Sequence, residues 1–196
     1  MARLKAVVFD AGETLVDETG IWERAADAAG VPRFTLMGTL GGLIARGEHH
    51  SRVWDVLGVE QAPSMFEPQD FYRDALPCLA ELRARGLRVG VVGNTPREFE
   101  DVMREHVDFV GSSVGWGVEK PAPEFFERIV AEAGVDPGEI AYVGDRVDND
   151  VEPALAAGMV AVHIRRGPWG RLQQGREQAH ALIDSLDELP EALARV

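Results

Sequence analysis

The chain has 196 residues, enough for one domain with a generous core or for a core domain carrying a small insert. Hydrophobic residues at 45% and charged residues at 27% exclude a disordered chain. The formal net charge of −13 argues against nucleic acid or an anionic membrane as the main partner.

Ala6-Val7-Val8-Phe9 is a continuous β-prone run and is read as a buried strand ending at Asp10. The stretch from Thr19 to Tyr72 carries helical patterns at Ile21–Ala29, Phe34–Arg46 and Ser51–Leu57, with no convincing strand, and predicts a small all-helical insert. Leu76, Leu79 and Leu82 then recur at helical spacing, and Gly86 closes that helix. A second strand is expected at Leu87–Val92, a helix at Arg97–Arg104 and a short strand at Val107–Val110. Pro123–Ala133 reads as helix, Ile140–Val143 as strand, Val151–Ala157 as helix and Met159–Ile164 as strand. Leu182–Leu186 is a candidate edge strand before a final short helix.

Strands alternating with helices predict an α/β fold, a doubly wound parallel sheet between two helical layers. Ligands of such sheets bind outside the carboxyl ends of the strands. Asp10 stands at the first of those ends, Gly93-Asn94-Thr95 at the second, and Gly144-Asp145 at the fourth, with Asp148 and Asp150 shortly after. Several carboxylates in one cleft repel each other, and a hard cation such as Mg²⁺ relieves the repulsion. Asp148 is read as an acid at the N-terminus of the next helix. The Asn94 amide and nearby backbone N–H groups suit an oxyanion, or else an Asx-turn. Lys120, one of two lysines, precedes Pro121, which restrains its backbone; a fixed ammonium there would neutralise carboxylates and meet a substrate anion.

The segments Phe9–Leu15, Gly90–Thr95, Lys120-Pro121 and Gly144–Asp150 together resemble the four motifs of the haloacid dehalogenase (HAD) superfamily of hydrolases. The resemblance covers essentially the whole chain. It implies an α/β core over residues 1–16 and 76–196 and a small helical cap over residues 17–75. It also implies Asp10 as nucleophile, Mg²⁺ held by Asp10, the Gly12 carbonyl and Asp145, and Asp150 as support. Lys120 would neutralise the phosphoryl group, and Gly93, Asn94 and Thr95 would bind it. The substrate would be a small phosphorylated metabolite.

Two positions depart from the family pattern. Its phosphatases carry a second aspartate two residues after the nucleophile, where this chain has Gly12, and a serine or threonine where it has Gly93. General acid–base help is typically worth ~10²–10⁴-fold, or about 3–5 kcal/mol. Glu13, read first as an exposed loop residue, is one candidate substitute. His49 and His50, read first as a polar turn, are others. The alternatives are a good leaving group, a catalytically impaired binding protein, or a metal-free dehalogenase, which the retained Asp145 and Asp150 disfavour. A dehalogenase would also need a cation for a carboxylate substrate, for which Arg24 and Arg33 are conceivable. Arg165 and Arg166 read as a charged surface loop in which Trp169 could pack down. Cys78 is expected to be buried and unpaired, and with no signal segment evident the expected location is the cytoplasm.

Overall fold

The computed structural model describes residues 4–62 and 64–196. Residues 1–3 of the expected core and Pro63 of the expected insert lie outside the described residues. Six strands form one sheet: β1 (Ala6–Phe9), β2 (Arg88–Gly93), β3 (Phe109–Ser112), β4 (Ile140–Gly144), β5 (Val160–Ile164) and β6 (Ala181–Ile183). Their spatial order is β3-β2-β1-β4-β5-β6, and every neighbouring pair is parallel. The order runs outward in one direction from β1 and in the other from β4. The crevice between the carboxyl ends of these two strands is therefore the switch point at which such sheets take ligands.

Alternation along β1 explains the three layers. Val7 and Phe9 face one side and join α4 (Ala75–Ala84) and α5 (Glu98–Met103) through Cys78, Leu79, Leu82, Phe99 and Met103. Ala6 and Val8 face the other and meet α7 (Pro123–Ala133) and α8 (Glu152–Ala156) through Phe125, Phe126, Ile129 and Ala154. Strands buried on both faces read as unbroken apolar runs, which is why the sequence shows runs rather than alternation. A one-turn helix, α6 (Ser113–Trp116), follows β3.

The insert is helical: α1 (Thr19–Ala28), α2 (Arg33–Ala45) and α3 (Arg52–Leu57) surround their own apolar cluster, which includes Leu36, Leu40, Leu43, Val53 and Trp54. Its two ends lie side by side, with Tyr72 N–H donating to Leu15 O at 2.9 Å and Asp17 N–H to Asp70 O at 2.7 Å.

Several expectations shift. The third strand starts two residues later than read, because the Asp108 carboxylate accepts Val89 N–H at 2.8 Å and Val107 turns into the core. The last strand ends at Ile183; Ser185 then caps a 3-10 turn at Leu186–Glu188, which leads to α10 (Leu189–Leu193). The helix expected at Val151–Ala157 begins earlier, as a π-helical turn at Val147–Val151, before α8. Arg166 is not on a free surface loop. It pairs with buried Asp74, donates to Thr14 O at 2.9 Å and lies 4.2 Å over the Tyr72 ring. Trp169, on α9 (Gly167–Leu172), is buried in the cluster of the insert. Cys78 is buried and free, as read, and burial pushes its thiol up to about 12.

Candidate active site

The first strand is apolar up to Phe9, so Asp10 is the first side chain free to leave the sheet. Its backbone N–H still donates to Val143 O at 2.8 Å, which fixes it at the switch point. Asp145 emerges from β4 alongside. Lys120 reaches in from the loop before α7, and its Nζ lies 2.7 Å from Asp10 Oδ1 and 2.5 Å from Asp150 Oδ1. Lys120, Asp10, Asp145 and Asp150 are all buried.

The π-helical turn adds a residue to the loop after β4 and brings Asp150 back towards the strand; such bulges frequently sit at functional sites. Asp150 Oδ2 accepts Arg146 N–H at 3.0 Å, and Oδ1 accepts from Tyr142 Oη at 3.2 Å as well as from Lys120. Gly144 is required here, because a Cβ on it would lie 2.5 Å from Asp150 Cβ.

Asn94 holds Lys120 from behind. Its Oδ1 accepts Lys120 N–H at 2.8 Å and its Nδ2 donates to Lys120 O at 2.9 Å. Both ends of the amide are thus engaged with the main chain of Lys120, a contact the sequence reading did not anticipate. Thr95 Oγ1 is buried without a partner among the described residues, and Thr95 lines the cavity that Asp10 and Lys120 share. A Cβ on Gly93 would stand 3.3 Å from Asp10 Oδ1 and 3.2 Å from Ala11 Cβ, a tight fit in which these neighbours would have to give slightly.

The electrostatics call for a cation. Burial, opposed by Lys120 and reinforced by Asp150, raises Asp10 to about 6. Burial together with Asp150 and Asp10 pushes Asp145 well above the carboxylate range. Burial works against the charge of Lys120, but Asp10 and Asp150 outweigh it and raise its pKa. Carboxylate oxygens of Asp10, Asp145 and Asp150 lie within 4.8 Å of one another, and Asp145 Oδ2 is buried with no partner among the described residues. An orphaned oxygen beside two other hard donors fits Mg²⁺, which favours carboxylates and retained waters.

Glu13 is buried, not exposed. It adopts φ 51°, and its Oε2 accepts from Tyr72 Oη at 2.6 Å while Oε1 accepts Glu18 N–H at 3.2 Å. Burial raises its pKa to about 7. His49 and His50 lie in the turn between α2 and α3, as read, and both line the cavity. The His50 ring meets Trp22 and Trp169 edge-on and stacks on His49 at 4.3 Å. Asp148 pairs with Arg146 at 2.8 Å and accepts from Gln173 Nε2 at 2.9 Å. Arg24 and Arg33 are taken up by Asp70 and by Asp27 and Glu23, and neither lines the cavity.

Glu18 went unremarked in the sequence. It is the N-cap residue of α1 and lines the same cavity as Asp10, with Oε2 accepting from Trp22 Nε1 at 3.1 Å. The signal available was an acid four residues before a tryptophan, which places both on one helix face. Burial, partly offset by the Trp22 hydrogen bond, raises its pKa. The cavity encloses about 660 Å³.

Residues 4–158 match the family model of haloacid dehalogenase-like hydrolases. The chain belongs to this family. This HAD-like hydrolase resembles a phosphatase in sequence and shares its fold with proteins of more than one chemistry. A glyceraldehyde 3-phosphate phosphatase from Methanopyrus kandleri is 32% identical over an alignment covering 85% of this chain and 86% of that protein. A HAD phosphatase from Thermococcus onnurineus superimposes with a TM-score of 0.65 at 23% identity, covering 97% of this chain and 98% of that one. A 2-haloacid dehalogenase from Pseudomonas syringae pv. Tomato DC3000 gives 0.63 at 23% identity, covering 98% and 99%. Phosphatase and dehalogenase share the fold, so the choice between them rests on the site. No helix among the described residues is long and apolar enough to cross a membrane.

Proposed function

We propose that this HAD-like hydrolase is a Mg²⁺-dependent phosphatase of small phosphorylated metabolites that works through an aspartyl-phosphate on Asp10. The observation that carries the reading is Lys120 Nζ held between Asp10 and Asp150 beside the unpartnered Asp145 Oδ2. A metal-free dehalogenase has no use for that third buried carboxylate, whereas a phosphatase needs a cation there. Mg²⁺ would be held by Asp10, Asp145 and the Gly12 carbonyl, with Asp150 supporting them; when bound, it supplies positive charge for the phosphoryl oxygens.

Lys120 orients Asp10 through Oδ1, which leaves Oδ2 to attack phosphorus. The same ammonium offsets the charge of the phosphoryl group. Thr95 Oγ1 and the backbone N–H groups of Gly93-Asn94 bind its oxygens, and the Asn94 side chain keeps Lys120 in place. Helices α1–α3 act as a cap over the cavity, with residues 17–75 as the cap segment and residues 1–16 and 76–196 as the core. Trp22, Trp54 and His50 form the wall that meets the leaving group.

The test is steady-state hydrolysis of p-nitrophenyl phosphate and glyceraldehyde 3-phosphate with Mg²⁺ or with EDTA. Activity is expected only with Mg²⁺ and is expected to vanish in Asp10→Asn. Wild-type rates in that variant would show that the nucleophile is misassigned.

A further inference from the structure

The loop two residues beyond Asp10 offers no acid of its own, because position 12 is glycine. Yet the space beside it is filled. A Cβ on Gly12 would collide with Glu18 Oε1 and would lie 3.1 Å from Glu18 Cδ. The carboxylate of the N-cap residue of α1 thus stands where a side chain at position 12 would begin. It is fixed from two sides: Glu18 N–H donates to Glu13 Oε1 at 3.2 Å, and Trp22 Nε1 donates to Glu18 Oε2 at 3.1 Å. Among the described residues, Oε1 accepts no hydrogen bond, and the side chain lines the cavity that Asp10, Lys120 and Asp145 share.

The competing groups are otherwise engaged. Both oxygens of Glu13 are bound, one by Tyr72 Oη and the other by the Glu18 amide. His50 is wedged between Trp22 and Trp169. His49 Nδ1 is 2.7 Å from Ser51 Oγ.

We propose that Glu18 is the general acid–base catalyst of this site, acting across from α1 in place of the carboxylate that Gly12 lacks. The proposal rests on Asp10 being the nucleophile. In the first step Asp10 Oδ2 bonds to phosphorus, the bond from phosphorus to the leaving oxygen breaks, and the Glu18 carboxyl gives its proton to that oxygen to release an alcohol. In the second, the Glu18 carboxylate takes a proton from water as the water oxygen bonds to phosphorus. The Asp10–phosphorus bond breaks, inorganic phosphate leaves, and Glu18 is again protonated. Glu13 and Trp22 are positioning residues for this carboxylate.

An alkoxide leaving group needs the proton, whereas a nitrophenolate does not. The experiment therefore compares kcat/KM, which reports the first step, for glyceraldehyde 3-phosphate and p-nitrophenyl phosphate with Mg²⁺. Glu18→Gln, which keeps an acceptor for Trp22, is expected to lower kcat/KM on the sugar phosphate by ~10²–10⁴-fold and on the aryl phosphate by less than about tenfold. It is also expected to release a burst of nitrophenol, because the second step is now slow. Equal losses on both substrates, or a loss below about tenfold on the sugar phosphate, would overturn the role. A second variant guards against a purely structural effect. Gly12→Asp in a Glu18→Ala background has room for the new side chain, and Gly12 is not in the left-handed region, so it is expected to regain activity on the sugar phosphate over Glu18→Ala alone. No regain together with a uniform loss in Glu18→Gln overturns the proposal. Asp10→Asn separates the two readings: surviving turnover in that variant refutes the nucleophile, while the leaving-group selectivity of Glu18→Gln still decides Glu18.

Discussion

Replacing Lys120 by methionine would remove the ammonium that pairs with Asp10 and Asp150 in a cluster of three buried carboxylates while keeping an unbranched stem of similar volume. The formal charge of the cluster goes from −3 + 1 = −2 to −3. At an effective dielectric of about 20, contacts of 2.7 and 2.5 Å are each worth roughly 6 kcal/mol gross. Desolvating the ammonium takes back several kcal/mol, and breaking a buried pair costs a net ~3–5 kcal/mol. For a chain of this size that corresponds to a fall in Tm of about 6–20 °C. Calorimetry and urea unfolding in EDTA would measure it.

The pH dependence fixes the cause. Asp10 is raised to about 6 even with Lys120 beside it, and burial with Asp150 and Asp10 raises Asp145 as well. A group whose folded pKa is raised contributes stability that is present below its unfolded pKa and lost as pH rises through the folded value. The variant is therefore expected to lose most at about pH 8 and least at about pH 5. Mg²⁺ at about 100 times its Kd adds ~2.7 kcal/mol to a protein that binds it only when folded, and is expected to help the variant at least as much as the wild type. A loss below about 1 kcal/mol in EDTA, or one that does not change with pH, would refute this account of the cluster.

His50 is held down to about 4 by burial and by His49, so its neutral form is the one the fold accepts. That stability is present above the unfolded value near 6.5 and lost as pH falls from there towards 4; urea titrations at several pH values should show His50→Phe with a smaller loss across this window. Gly90→Ala would place a methyl 2.5 Å from Phe109 Cε2 and is expected to cost ~1–3 kcal/mol of stability by urea unfolding without altering the Asp10–Asp145–Asp150 cluster. Asp74→Ala would strip Arg166, Ser185 Oγ and the Leu186 N–H of one shared acceptor. Its expected cost is ~3–5 kcal/mol by thermal unfolding, and an unchanged Tm would show that this link is not structural.

The sequence by itself determined the elements and the positions of the strand-end carboxylates. Buried parallel strands must be apolar throughout, so each strand announces itself as a run, and the first polar residue after it marks the carboxyl edge of the sheet. Asp10, Asn94 and Asp145 were legible for that reason, Lys120 as one of two lysines and the one set before a proline, and the helical insert from its apolar spacing. The strand order was decided only by tertiary structure. Pairing β1 with both β2 and β4 is what puts Asp10 and Asp145 side by side.

Side-chain roles set by long-range contact were likewise invisible. Glu13 read as an exposed loop residue because its partner Tyr72 lies 59 residues away. Arg166 read as surface because the chain gives no sign of Asp74, 92 residues earlier. Asn94 read as an oxyanion ligand or an Asx-turn former, whereas its amide closes around the main chain of Lys120, 26 residues away. Gly12 read as a missing acid for the same reason. The sequence shows only what is absent at a position, whereas the fold brings Glu18 from another element into the space the glycine leaves open.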